Sequence, residues 1–406
     1  MSEWTKVKLG EICERVTSGG TPKANVSSYY NPPTIPWLKT KEVNYCRITE
    51  TENYISEEGL KNSSAKLISP NSVIIAMYGQ GDTAGRVAIN KIPLATNQAC
   101  CNLTIDKSKA DYEFIYYQLC TLYDKLVSLK AGAAQPNLNA RIIKNLEIIM
   151  PSLPIQHRIA SILSRYDSLI ENYQKQIKLL GEAAQRLYKE WFIDLHFPGH
   201  ENTNIIDGVP EGWEKKKVNS IIELQSGFAF KSSTFDDNGA YKIVTIKNVK
   251  DGAFDGDNVS RIVAIPEKMP KHCVLADGDI LLSLTGNVGR VCIVNGKNYL
   301  LNQRVAKLAT DFKAFTYCLF RSREMFIEIN NLANGAAQQN VSPIRIGEMK
   351  ILLPNNKLLQ VFESIVFKSI ARIISLQSQL HLLTEARDRL LPKLMSGEIA
   401  VQQYQI

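Results

Sequence analysis

Two long segments of the chain place apolar residues at alternating spacings of three and four. In the first, Ile155, Ile159, Ile162, Tyr166, Leu169, Tyr173 and Leu180 recur, and Leu187 and Trp191 continue the face less regularly. In the second the series is Val366, Ile370, Ile373, Leu376, Leu380, Leu383, Arg387, Leu390 and Leu394. A period near 3.5 residues is that of a coiled-coil seam. Pro154 and Pro354 mark the two starts, Pro198-Gly199 closes the first segment, and Pro392 and Gly397 are expected to disturb and then end the second. A helix over about 155–192 would be roughly 55 Å long at ~1.5 Å per residue. An isolated apolar seam needs a partner, and the partner expected for each helix is the other one, lying antiparallel to it.

Ahead of each seam the pattern shortens. Ser72–Tyr78 and Asp279–Leu284 are short apolar runs bounded by Gly, Asn and Pro, which predicts strands. Val87–Ile89 and Val291–Val294 read as the return strands, and helices are expected at about 111–129 and 312–330.

The two halves repeat one another. Trp4-Thr5-Lys6-Val7-Lys8-Leu9 answers Trp213-Glu214-Lys215-Lys216-Lys217-Val218, and Ser18-Gly19 answers Ser226-Gly227. Leu38–Val43 answers Val244–Val249, Gly85–Ile89 answers Gly289–Ile293, and Asn97-Gln98 answers Asn302-Gln303. Gly132–Leu138 answers Gly335–Val341, and from there the offset stays at 203 through Pro151/Pro354. Several pairs in one order imply duplication. The fold class expected is α+β: two pseudo-symmetric, strand-rich heads separated by two long antiparallel coiled-coil helices.

Composition narrows the classes without choosing among them. The 406 residues are too many for one ordinary domain. No run approaches the length of a transmembrane helix, and the start lacks the apolar core of a signal peptide, so a cytoplasmic protein is expected. The eight cysteines show neither disulfide nor zinc spacing and read as reduced, packed thiols. The net charge of +8 divides evenly: each head is +3, each helical part is +2, and the residues around 193–202 are −2. Two mildly basic heads permit an anionic partner such as nucleic acid.

Catalytic motifs are weak. Asn31-Pro32-Pro33-Thr34 resembles the N-P-P-[Y/F] loop of DNA adenine methyltransferases, but Thr34 replaces the aromatic and the repeat has no counterpart. A Pro-rich turn before Trp37 fits better. Gly79–Gly85 is glycine-rich without the G-K-[S/T] ending of a phosphate loop, and its counterpart Gly286–Gly289 is three residues shorter, so a turn between strands is expected. A DNA reader needs phosphate contacts and a few side chains for base edges. Candidates are Lys39, Lys41, Tyr78, Arg86, Gln98 and Gln135 in the first head, and Lys247, Arg290, Gln303, Arg304 and Gln338 in the second.

With these residues in view, the whole chain resembles the specificity subunit of type I restriction–modification systems. Gly208-Val209-Pro210-Glu211-Gly212-Trp213 resembles the family's P-x-G-W lead into a target recognition domain, although Trp4 lacks the Pro-Glu-Gly before it. Ile280–Gly286 with Gly289-Arg290-Val291 resembles its strand-turn-strand core, and Leu390–Ile399 resembles its C-terminal helix ending. The resemblance implies target recognition domains at 1–153 and 205–353, a spacer helix at 154–192, a linker at 193–204, a C-terminal helix at 354–397 and a tail at 398–406. It implies a non-catalytic chain whose heads each read half of a split, asymmetric target in double-stranded DNA. The helices would set the half-site spacing and dock two methyltransferase subunits, and restriction/translocase subunits would join them. No cofactor is implied for this chain; S-adenosylmethionine, ATP and Mg2+ would belong to the partners. If the helix is a ruler, four residues inserted near Lys175-Gln176 should shift the half-sites by roughly 6 Å. The alternatives are a coiled-coil adaptor with protein- or glycan-binding heads and a solitary adenine methyltransferase.

Overall fold

The computed structural model describes residues 4–131, 137–257, 259–333 and 340–401. It divides into two compact units, Met1–Leu169 with Thr384–Ile406, and Ile170–Leu383.

In the first unit, strand Thr5–Lys8 pairs antiparallel with Glu147–Met150, tying the start of the head to its end. A five-stranded sheet runs in the order Cys13–Ser18, Cys100–Ile105, Val73–Ala76, Val87–Asn90, Cys46–Ile48. A four-stranded sheet runs Tyr54–Ile55, Ile35–Leu38, Leu94–Thr96, Leu67–Ile68. The apolar run at 73–76 is continuous because both of its faces are covered. Val73 and Ile75 pack with Phe114 and Ile115 of helix Tyr112–Thr121, while Ile74 and Ala76 pack with Leu38 and Leu94 of the second sheet.

The second unit repeats this frame. Glu214–Lys217 pairs with Lys350–Leu353. One sheet runs Glu223–Ser226, Val305–Ala309, Ile280–Ser283, Val291–Ile293; the other runs Ser260–Ile262, Tyr241–Val244, Tyr299–Leu301, Val274–Leu275. The neighbour order matches the first unit, down to the parallel pairs Trp37↔Ala95 and Ile243↔Leu300, except that the edge strand Cys46–Ile48 of the five-stranded sheet is not repeated in the second unit's sheet. The repeated Ser-Gly has a steric origin. A Cβ on Gly19 would lie 2.1 Å from the Thr96 carbonyl oxygen, and one on Gly227 would lie 2.1 Å from that of Asn302.

The expected helices at 111–129 and 312–330 are each broken in two. The first divides into Tyr112–Thr121 and Tyr123–Ala131, the second into Lys313–Phe320 and Arg323–Ala333. In the second pair Ser322 starts a new helix, its hydroxyl accepting from the Met325 N–H at 3.2 Å.

The central helix spans Leu153–Tyr188 and the C-terminal helix Asn356–Met395. The latter runs through Pro392, because the carbonyl that loses its N–H partner there lies in the last turns; Gly397, at φ 76°, follows its end. Within the second unit the helices are antiparallel: Tyr188 meets Phe362, whereas Ile177 and Ile373 line one cleft. On the C-terminal helix Val366, Ile370, Ile373 and Leu376 are buried, and Leu380, Leu383 and Leu390 are half-buried.

On the central helix the buried line runs one residue later than the expected series as far as Tyr188 and meets it at Trp191. It passes through Gln156, Ala160, Leu163, Asp167 and Ile170, then Ala184, Tyr188 and Trp191. Leu169 is 45% exposed and is no part of it, while Ile170 is 7% exposed. Ile159 is buried beside the line, and Ile162, Tyr166, Tyr173 and Leu180 flank it half-buried. The small or polar Gln156, Ala160, Asp167 and Ala184 alternate in the seam with the large Leu163, Ile170, Tyr188 and Trp191.

Each head is fastened to a long helix by a polar side chain. In the first unit the fully buried Gln156 accepts from the Asp111 N–H at 3.0 Å and donates to the Pro151 carbonyl at 2.8 Å. In the second, Glu363 accepts from the Ala314 and Phe315 N–H groups at 2.8 and 3.2 Å, capping a helix that has no local capping side chain. Trp191, Phe192, Phe197 and Trp213 then join Phe315 and Phe362 in one aromatic cluster, with Phe192 and Phe362 centroids 4.9 Å apart.

Candidate nucleic-acid interface

In the first head the charged candidates sit on turns at the ends of strands. The Asn97 N–H donates to the Leu38 carbonyl at 2.9 Å, bringing the Lys39 and Gln98 backbones to the same end of the sheet. The Lys39 ammonium lies 4.9 Å above the Trp37 ring and donates to Asn53 Oδ1 at 2.9 Å. Lys41 is exposed, 3.8 Å from Glu52. Gln98 is exposed and accepts from the Thr21 hydroxyl. Tyr78 is half-buried and packs against the core.

Arg86 follows the Gly79–Gly85 turn. Its guanidinium donates to Asp82 Oδ1 at 2.5 Å and to Asn44 Oδ1 at 3.0 Å. The hydrogen bond from Arg86 holds the Asp82 carboxyl below the usual carboxylate range. The turn is a tight connection, Val73↔Ile89 to Ile75↔Val87, as expected for a hairpin.

In the second head Lys247 and Arg290 come together. With Ile246, Lys250, Asp255 and Asn287 they line a cleft of about 330 Å³. Gln303 and Arg304 are exposed on the turn after Tyr299–Leu301. The Leu284 N–H donates to the Arg304 carbonyl at 3.0 Å, so this turn abuts the strand end that leads to Arg290. Gln135 and Gln338 lie outside the described residues. Beyond them, the Leu138 N–H donates to the Met77 carbonyl at 3.2 Å and the Val341 N–H to the Leu284 carbonyl at 3.0 Å.

Two positioning residues were not among the candidates. Asn248 is buried and accepts from the Thr245 N–H at 2.8 Å, and its amide donates to the Asp255 carbonyl at 2.9 Å. It thereby fixes the turn that carries Lys247 and Lys250. Glu42, its counterpart in the repeat, accepts from the Lys39 and Glu52 N–H groups at 3.0 and 2.8 Å and fixes the turn that carries Lys41. The signal was present as Lys41-Glu42-Val43 against Lys247-Asn248-Val249, polar residues kept between repeated neighbours.

Asn31-Pro32-Pro33 is an exposed approach to strand Ile35–Leu38. Among the described residues no group of His, Cys, Asp and Glu could hold a metal ion, and no helix is long and apolar enough to cross a membrane. No disulfide joins the eight cysteines, and burial pushes the Cys101 thiol up to about 12.

Residues 1–180 and 210–381 match the family described as type I restriction modification DNA specificity domain. The chain belongs to this family. Its similarity to the type I restriction enzyme MjaIX specificity subunit of Methanocaldococcus jannaschii is 30% identity, over 99% of this chain and 94% of that protein. Against the EcoR124I/EcoR124II specificity subunit of Escherichia coli it is 28% identical over 48% of each. The crystal structure of a type I restriction-modification system S subunit from M. genitalium has the same fold, with a TM-score of 0.65 at 18% identity, covering 97% of this chain and 96% of that one. Membership in the specificity family leaves the adaptor and methyltransferase readings without support.

Proposed function

We propose that residues 1–153 and 205–353 are target recognition domains that each read one half of a bipartite, asymmetric site in double-stranded DNA. The helical segments 154–192 and 354–397 set the half-site spacing and dock two methyltransferase subunits, and restriction/translocase subunits complete the assembly in the cytoplasm. S-adenosylmethionine, ATP and Mg2+ serve those partners. This chain supplies recognition.

The observation that carries the reading is one sheet frame built twice with different polar side chains at the same turns. A shared frame presents different donors to each half-site, as unrelated half-sites require. The exposed Lys41, Lys247 and Arg304 supply phosphate contacts, and the heads' modest charge leaves much of the affinity to the recruited subunits.

Methylome sequencing of cells expressing the modification complex tests this. A split motif with two unrelated halves is expected, and replacing residues 1–153 by those of a relative should change one half only. An unsplit motif, or a change in both halves, would refute the reading. Affinity of the complex for its duplex should also fall steeply as salt rises.

A further inference from the structure

Arg86 and Arg290 occupy one position of the repeat, after a glycine and before a buried valine, yet their guanidinium groups are engaged differently. Arg290 sits on a locked backbone. The buried Ser283 accepts from the Arg290 N–H through its hydroxyl at 3.0 Å and donates its own N–H to the Arg290 carbonyl at 2.9 Å. Gly286 and Gly289, at φ 74° and 86°, make the turn that this requires. The half-exposed side chain reaches the cleft shared with Lys247, Lys250 and Asn287, and its guanidinium makes no ion pair or hydrogen bond among the described residues. The carboxylate in the cleft, Asp255, is 3.7 Å from Lys250.

Arg86 has no such freedom. Its fork is held by Asp82 and Asn44, and Asp82 stands in a turn three residues longer than its counterpart. The Tyr123 hydroxyl adds a hydrogen bond to the Asp82 carbonyl at 2.9 Å, which steadies that turn.

We infer that, on the DNA-reading function proposed above, Arg290 is the side chain that reads a guanine in the second head's half-site, while Arg86 reads no base and instead braces its turn. The warrant is the match of groups. An unpaired, planar guanidinium offers parallel donors to the two major-groove acceptors of guanine, O6 and N7. A lysine is a single point charge, so Lys247 and Lys250 suit the flanking phosphates. A guanidinium already spent on a carboxylate and an amide would have to break both bonds first.

The test uses the assembled modification complex with R290K, R290Q and R86K variants, read by methylome sequencing and by equilibrium DNA binding. R290K keeps the charge and loses the fork. It should relax one guanine of the second half-site, with discrimination falling roughly 5- to 150-fold, and leave the first half-site unchanged. R86K should leave both half-sites unchanged. A third measurement depends on no variant. Wild-type complex should lose affinity when 7-deazaguanine replaces one guanine of the second half-site, and R290K complex should lose less.

An R290K motif as stringent as wild type, a second half-site without guanine, or an R290Q complex weakened equally on all sequences would each overturn the assignment; the last outcome would place Arg290 on a phosphate. An R86K complex that relaxes a guanine would overturn the contrast between the heads. Failure of the wild-type complex to methylate any split motif would instead overturn the function on which the inference rests.

Discussion

The Arg387 guanidinium donates to Asp167 Oδ1 at 2.8 Å, placing an ion pair in the seam between the central and C-terminal helices of the first unit. The Tyr117 hydroxyl donates to the other carboxylate oxygen at 2.5 Å, so the buried charge is satisfied from two sides. At the repeat's offset of 203, Asp167 corresponds to Ile370 and Arg387 to Ala184, which are buried and apolar in the second unit. One seam position therefore has a polar and an apolar solution. Removing Arg387 leaves the buried Asp167 carboxylate with Tyr117 as its remaining partner, so R387A should destabilise the chain by about 3 kcal/mol; after D167A, Arg387 keeps its hydrogen bonds to the exposed Asp388, and the loss should be smaller. The combined Y117F/D167I/R387A variant, which installs the apolar solution, should recover most of that loss. Denaturant unfolding of the set checks this, and additive single and combined losses would refute the coupling.

The Ser-Gly repeat gives a second expectation. Gly19→Ala and Gly227→Ala each force a methyl group into a backbone carbonyl, not into a side chain that could rotate away. Each should destabilise its own unit by about 3 kcal/mol or more. Hydrogen exchange should report the loss mainly in the unit that carries the change. A neutral substitution would show that the Thr96 or Asn302 strand end moves freely.

Glu363 makes stability depend on pH. Burial raises its carboxyl above the ordinary value, and the hydrogen bonds from Ala314 and Phe315 offset only part of that. A carboxyl whose folded value is raised binds its proton more tightly in the folded state. Its contribution is thus fully present below the ordinary carboxylate range and falls as pH rises through the raised value. E363Q keeps an acceptor oxygen without the charge. The stability of wild type relative to E363Q should therefore decline as pH rises through this window. E363A should lose about 1–2 kcal/mol as the cap of helix Lys313–Phe320. Unfolding midpoints against pH check both statements.

How much could be read from sequence differs between strands, seam and site. The strand pairs at 73–89 and 280–293 were legible because both faces are apolar and the bounding glycines are needed. The central seam was displaced by one residue over most of its length, although Ile159 and Trp191 of the expected series are buried. Hydrophobicity marks Leu169, whereas the interface is lined by Ala160, Asp167 and Ala184, whose small size or paired charge suits close helix packing. Arg86 and Arg290 were correctly paired as equivalents. Their different states depend on a three-residue insertion whose Asp82 folds back onto Arg86, a contact that pattern alone does not encode. Glu42 and Asn248 were passed over because their work is done through backbone N–H groups.

The seam also changes how the spacing function must be tested. Inserting four residues near Lys175-Gln176 rotates everything beyond by a fraction of a turn and takes the seam out of phase, so lost activity there would say nothing about length. A whole heptad preserves the phase, but the helices run antiparallel, and one lengthened helix would have no partner over the added turns. Within the second unit Ile177 lies by Ile373 and Tyr188 by Phe362, which puts the matching point near Ile374-Ser375. Seven residues added at both Lys175-Gln176 and Ile374-Ser375 should extend the paired helices by about 10 Å. At ~3.4 Å per base pair the mapped methylation motif should gain a spacer of about three base pairs, with both half-sites unchanged. An active variant with an unaltered spacer would refute the ruler.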